Sequence, residues 1–171
     1  FALAIRKTHH CQGLKSQLPG RPSELHKDAG LEVLEGIQRR WEANKAQVPA
    51  FAAYVDGKIA ELAEQISQFP GSGLVASHND ICCGNWLISD EEKVYLIDYD
   101  SMSQDDPALD LGAILWWYYP PELRADFLAI AGYPADDDLR NRMRVRMAVH
   151  NLNIILPREG SFDADKFDRF D

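Results

Sequence analysis

Cysteine is scarce in this chain: three residues among 171, two of them adjacent (Cys82 and Cys83). That excludes the disulfide framework of a small secreted domain and fits a reducing, cytoplasmic compartment. Basic residues are also few, with 18 Lys and Arg against 27 Asp and Glu, for a net charge of −9. Non-specific nucleic-acid binding relies on an excess of Lys and Arg, so no nucleic-acid partner is expected. No apolar run approaches the roughly 18 residues that a membrane span needs, so no membrane partner is expected either. Internal repeats and low-complexity tracts are missing. The opening FALAIRKTHH lacks the long apolar core and small-residue cleavage site of a signal peptide. It also starts with Phe1 rather than Met, which reads as a piece whose true start lies upstream. What is present is ordinary for a globular chain: 46% hydrophobic and 26% charged residues, enough for one domain with its own core.

The apolar pattern is mostly helical. Residues 1–10 read as the end of a helix and 11–22 as a loop. Ser23 is placed to cap a helix running to about residue 47, with Leu34, Ile37 and Trp41 at helical spacing. A second helix carries Val55, Ile59, Leu62 and Ile66 on one face and is ended by Pro70 and Gly71. The texture then changes. Residues 74–77, 86–89 and 94–98 read as strands, the last two joined in a hairpin by the polar turn 90–93. A polar loop follows to Asp106, where Asp-Pro opens a helix through Leu111, Ile114 and Leu115. Pro120-Pro121 starts another helix, closed by Gly132, and Asp136 to Asp138 cap a last long helix that stops at Pro157. The tail 158–171 is polar, with spaced Phe residues and no assigned element. The expected fold is α+β, mainly helical, around a small central β-hairpin.

The chemistry concentrates at that hairpin. His78-Asn79-Asp80 and Asn85 fit H-x-D-x-x-x-x-N, the spacing of a kinase catalytic loop, and thirteen residues on the second hairpin strand ends in Asp98-Tyr99-Asp100. Phosphoryl transfer asks little covalent work of a protein; it needs an aligned nucleophile and cations over the triphosphate. An Asp on a rigid loop accepts or orients the hydroxyl proton of the acceptor. An Asn a few residues on offers a neutral carbonyl oxygen, and an Asp on the adjoining strand a carboxylate, a set that suits Mg²⁺ with its hard-oxygen preference.

The run ASHNDICCGNWLI…VYLIDYDSMSQDDPALDLG resembles the aminoglycoside phosphotransferase/choline kinase family. The resemblance implies the C-terminal lobe of a protein-kinase-like fold, spanning residues 1–171 as one unit. It further implies an ATP- and Mg²⁺-dependent enzyme that phosphorylates a hydroxyl of a small molecule. By the same resemblance Asp80 matches the catalytic base, Asn85 and Asp98 the metal and nucleotide ligands, and His78 the histidine that buttresses the loop. Asp100 matches a second acid able to reach a metal, and Asp110 a buried acid that supports the loop. The chain departs from the family in one respect: nothing before His78 supplies the glycine-rich loop or the nucleotide-anchoring Lys of an N-terminal lobe. That lobe is therefore an expected partner, and the chain alone is expected to be inactive. Gly71-Ser72-Gly73 formally opens a G-x-G-x-x-A string, but it follows a helix and opens none, so it is rejected as a phosphate loop.

Other features have plainer readings. Cys82 and Cys83 lack a second pair and read as small loop-filling residues. His9 and His10 read as a solvated pair at a helix end. Arg140, Arg142, Arg144 and Arg146 alternate along the last helix and read as a solvated, salt-bridged face. Trp116, Trp117, Tyr118 and Tyr119 cover most of a helix circumference, so core packing is expected for some and a substrate wall for Trp116 and Trp117. The acidic balance favours a cationic acceptor, an amino-alcohol such as choline or an aminoglycoside-like compound. Two rival readings are a degenerate kinase-like binding module, against which the intact Asp80/Asn85/Asp98 set argues, and a Mg²⁺-dependent hydrolase that releases phosphate without an acceptor.

Overall fold

The structure is a computed structural model and describes residues 1–156; the tail at 158–171 and the expected helix stop at Pro157 lie outside the described residues. Helices α1 (Ala2–His9), α2 (Gln12–Lys15), α3 (His26–Asn44) and α4 (Ala52–Ser67) precede strands β1 (Val75–Ser77), β2 (Trp86–Ile88), β3 (Val94–Leu96) and β4 (Ser103–Asp105). Helices α5 (Ala108–Tyr118), α6 (Arg124–Ala131) and α7 (Asp137–Ile155) follow.

Helix α3 starts three residues after the expected cap. Ser23 Oγ accepts from Leu25 N at 3.2 Å, but backbone pairing claims the next turn: Leu25 bridges Ser72, and Gly73 N donates to Glu24 O at 2.9 Å. Helix α4 matches its pattern, with Val55, Ile59, Leu62 and Ile66 all buried. The 86–96 hairpin pairs in register Trp86↔Leu96 and Ile88↔Val94. The expected loop from Asp98 to Asp106 contains a strand instead, since β4 pairs antiparallel with β1 from Val75↔Asp105 to Ser77↔Ser103. Ser-Gln-Asp has no strand periodicity of its own; the free edge of β1 organises it. The 11–22 loop likewise holds the single turn α2.

Two apolar clusters share α7. One joins α1, α5, α6 and the α7 face of Leu139, Met143 and Met147 around Ile5, Leu111, Ile114 and Leu115. The other joins α3, α4 and the α7 face of Val145 and Val149 around Ile37, Trp41 and Ile66. Each fully buried Leu or Ile contributes on the order of 1.5–3 kcal/mol. Helix α7 is therefore covered on several sides, and two of its arginines are buried rather than solvated. Arg142 pairs with Asp106, and Arg146 Nη2 donates to Asp105 Oδ2 at 2.7 Å. Burial keeps the Asp105 carboxyl above its ordinary pKa even with Arg146 beside it. Arg140 and Arg144 do lie on the exposed face, where Arg140 pairs with Asp137. Asp106 Oδ1 also accepts from Ala108 N at 2.9 Å, so the expected helix-opening acid is bonded to both its helix and a buried cation.

Candidate active site

The motif loop leaves β1 and makes a sharp turn at Asn79, whose φ is +64°. Asparagine tolerates this left-handed backbone better than most residues. Here the side chain also fixes it, because Asn79 Nδ2 donates to Ser101 O (2.9 Å) and to Ser103 Oγ (2.8 Å). The neighbouring strand β4 therefore positions the residue before Asp80.

Asp110, at the start of α5 and buried, holds the same turn from below. Its Oδ2 accepts from His78 N at 2.6 Å and its Oδ1 from Asn79 N at 2.8 Å. A third donor was not expected: His9 Nε2 bonds Asp110 Oδ2 at 3.0 Å, while His9 Nδ1 meets the Tyr133 hydroxyl at 2.7 Å. The sequence reading of His9 as a solvated helix end is corrected: its ring is 2% exposed. The signal lay in the spacing, since Ala2, Ile5 and His9 fall on one helical face, all three buried. Burial alone would raise the Asp110 carboxyl, but the bond from His9 and the two backbone donors outweigh it and hold the pKa below the ordinary 3.8.

His78 is fully buried and donates from Nε2 to the Ile97 carbonyl at 2.9 Å, one residue before Asp98. Ile97 N in turn donates to Asn85 O at 3.0 Å. The hairpin end carrying Asp98 is thus tied to both ends of the motif loop. Asp98 itself is exposed with a left-handed backbone (φ +64°, ψ +69°). Asn85 is buried, and its Nδ2 donates to Asp80 O (2.8 Å) and to Asp80 Oδ2 (3.0 Å). One amide therefore closes the loop and orients the Asp80 carboxylate, and no described bond takes the side-chain oxygen Asn85 Oδ1.

Among the described residues no three His, Cys, Asp or Glu side chains cluster to hold a metal. The backbone bond from Ile97 N to Asn85 O ties the strand end carrying Asp98 to Asn85, and one carboxylate with one amide oxygen is a set that fits Mg²⁺, commonly bound by one or two carboxylates and completed by waters and phosphates. The open Asn85 oxygen and the exposed Asp98 carboxylate are the groups that could serve. Asp100 lies in the wall of a different cavity from Asp80.

Asp80 opens on a cavity of about 480 Å³ whose wall includes Asn79, Ser101, Trp117, His150 and Asn153. A second cavity of about 360 Å³ shares Asn79, Ser101, His150 and Asn153 and adds Asp100 and Arg146. The larger groove of about 680 Å³, between α4 and α7, includes no residue of the motif loop, so volume alone does not mark this site. Of the two expected wall residues, Trp117 lines the Asp80 cavity and its ring lies 5.6 Å from that of His150. Trp116 does not; it lies under the Arg124 guanidinium at 5.5 Å, because successive residues on a helix point about 100° apart. The core packing expected for some of this run holds for Tyr119, which packs against the apolar cluster, while Trp116, Trp117 and Tyr118 are exposed. Tyr118 instead accepts from Cys83 N at 3.0 Å and braces the loop. All three cysteines are free thiols.

The fold resembles several solved structures. A choline/ethanolamine kinase family protein from Mesorhizobium loti aligns with TM-score 0.68 and 19% identity, covering 99% of this chain and 58% of that one. A macrolide 2'-phosphotransferase type I aligns at 0.66 and 21% identity, covering 90% and 50%. A choline kinase from Streptococcus pneumoniae aligns at 0.61 and 18% identity, covering 98% and 59%. These likenesses bear out the mainly helical, protein-kinase-like fold, and the chain spans only half to three-fifths of the length of these structures. The phosphotransferase enzyme family matches residues 2–145, taking in the motif loop, the hairpin and α5. With its sequence and its fold in agreement, the chain belongs to the phosphotransferase enzyme family.

Proposed function

We propose that this chain is the acceptor-binding and catalytic lobe of an ATP- and Mg²⁺-dependent small-molecule kinase. The observation that carries the reading is the Asp80–Asn85 pair, in which a carboxylate oriented by a buried amide faces a cavity large enough for a small alcohol. Asp80 would accept the hydroxyl proton as the acceptor oxygen bonds the γ-phosphorus and the bond to ADP breaks, so the proton ends on the carboxylate. Mg²⁺ held by Asn85 and Asp98 would supply positive charge over the phosphates. His78 and Asp110 keep the two strand ends in register without touching substrate. The nucleotide clamp would come from a separate lobe.

The acceptor we favour is a cationic amino-alcohol. Trp117 lines the cavity, Asp80 in the same wall and Asp100 in the wall of the adjoining one add negative charge, and the chain carries −9 overall. A ring face is worth about 1–2 kcal/mol to a desolvated ammonium.

The test uses the protein joined to its nucleotide lobe. Asp80→Asn is expected to lower kcat by about a hundredfold or more with nucleotide affinity little changed, as for loss of a general base. Asp98→Ala is expected to remove Mg²⁺-dependent turnover. Near-normal turnover by Asp80→Asn would show the base assignment to be wrong. Calorimetry with choline, ethanolamine and kanamycin tests the acceptor, and tighter binding of a neutral sugar than of all three would overturn the charge argument.

A further inference from the structure

We propose that His9 is a positioning residue for Asp80: acting through Asp110, it fixes the backbone turn that aims the carboxylate. The inference rests on the kinase reading above and adds to it a residue far from the loop in sequence.

Asp110 is 1% exposed and receives three hydrogen bonds, from His78 N, Asn79 N and His9 Nε2. The first two belong to the loop it organises, so His9 is the side chain that ties this carboxylate to another element. A carboxylate with one oxygen shared between a backbone N–H and a ring N–H is fixed in rotation as well as position. His9 is fixed in turn by the Tyr133 hydroxyl. The Asp110 carboxylate only accepts, so His9 Nε2 carries the N–H that faces it, and the Tyr133 hydroxyl, 2.7 Å from Nδ1, fixes the other side of the ring.

Tyr133 is placed by the end of α6. Gly132 takes φ +87°, Gly132 N donates to Ala129 O and Tyr133 N donates to Leu128 O at 2.9 Å, a double cap that fixes the next side chain. The His10 ring stacks on Tyr133 at 5.7 Å. A continuous path thus runs from α6 through Tyr133, His9 and Asp110 to His78 and Asn79, the two residues before Asp80. His9 lines neither cavity beside the loop, so any effect it has on turnover must pass along this path.

A structural role alone would lower stability everywhere; positioning predicts a local and chemical effect. Two measurements on the complete protein separate them. Amide exchange by NMR, read without substrate, should show faster exchange at His78 and Asn79 in His9→Leu, with α4 unchanged. Steady-state kinetics should show kcat reduced about tenfold or more at unchanged nucleotide KM, since small misplacements of a reacting group carry losses of that order. His9→Gln, which retains a donor toward Asp110, should restore most of both. Tyr133→Phe, which keeps the His9 ring and loses its orienting hydroxyl, should give a smaller loss of the same kind and serves if His9→Leu does not fold. Unchanged exchange at His78 and Asn79 overturns the proposal, as does altered exchange with unchanged kcat. If the wild type phosphorylates no alcohol, the kinase reading fails by itself, and the exchange result still decides whether His9 holds the loop.

Discussion

At Asn79 one residue meets three demands at once. Its backbone is left-handed, its N–H feeds Asp110, and its amide reaches across to β4. Alanine there would lose both side-chain bonds and would sit in a conformation that costs an ordinary residue on the order of 1–2 kcal/mol. Glycine would lose the bonds without the backbone strain. Asn79→Ala is therefore expected to destabilise the chain by about 3–4 kcal/mol and Asn79→Gly by about 2 kcal/mol, since each of the two lost bonds is worth roughly 1 kcal/mol and only alanine adds the backbone cost. Urea unfolding of the two variants side by side checks the order. Equal losses would mean that the hydrogen bonds, and not the backbone, set the turn.

Among the elements, the packing of α5 on α7 carries the site, because α5 brings Trp117 and α7 brings His150 and Asn153 to the same cavity, while the start of α5 holds Asp110 beneath the loop. Gly112 permits that approach. A Cβ there would stand 2.8 Å from Met147 Cγ and 3.3 Å from the Met143 carbonyl oxygen. Met147 can swing away, but the backbone oxygen cannot. Gly112→Ala is thus expected to push the helices apart and cost about 1–3 kcal/mol, the usual penalty of overpacking. Thermal unfolding measures the loss, and Gly57→Ala, at an α4 glycine with open space around it, serves as the control. Removing a mid-helix glycine there should leave stability unchanged or raise it by up to about 1 kcal/mol.

Across the whole molecule, the buried Asp110 links folding to pH. Its folded pKa lies below its ordinary 3.8, so the folded state binds this proton less readily than the unfolded chain. The resulting stability is fully present above the unfolded value, and it is lost as pH falls through the folded one. Asp110→Asn should unfold more readily at neutral pH and should show a flatter decline below about pH 4 than the wild type, read from urea midpoints over that range. If the decline is equally steep in the variant, other carboxylates set the acid limit. At the same scale, residues 1–171 by themselves are expected to show little ATP turnover, because the sequence before His78 offers no glycine-rich phosphate loop or nucleotide-anchoring Lys, and turnover should appear when the nucleotide lobe is joined. Robust turnover by the 171 residues alone would overturn the two-lobe reading.

The sequence by itself determined the parts governed by local rules. Helix α4 follows from apolar spacing, the 86–96 hairpin from two short apolar runs around a polar turn, and the end of α6 from Gly132. The loop motif was legible because its chemistry fixes residue types at fixed offsets. Tertiary structure decided whatever depends on a partner distant in the chain. Strand β4 has no pattern of its own and exists through pairing with β1. Arg142 and Arg146 look like surface residues until Asp106 and Asp105 meet them in the interior. Trp116 and Trp117 are neighbours in sequence, yet only the second reaches the Asp80 cavity. His9 joins the site across 101 positions to Asp110; local spacing places it on a buried helix face, but the partner it meets there is fixed only when the chain closes that long loop.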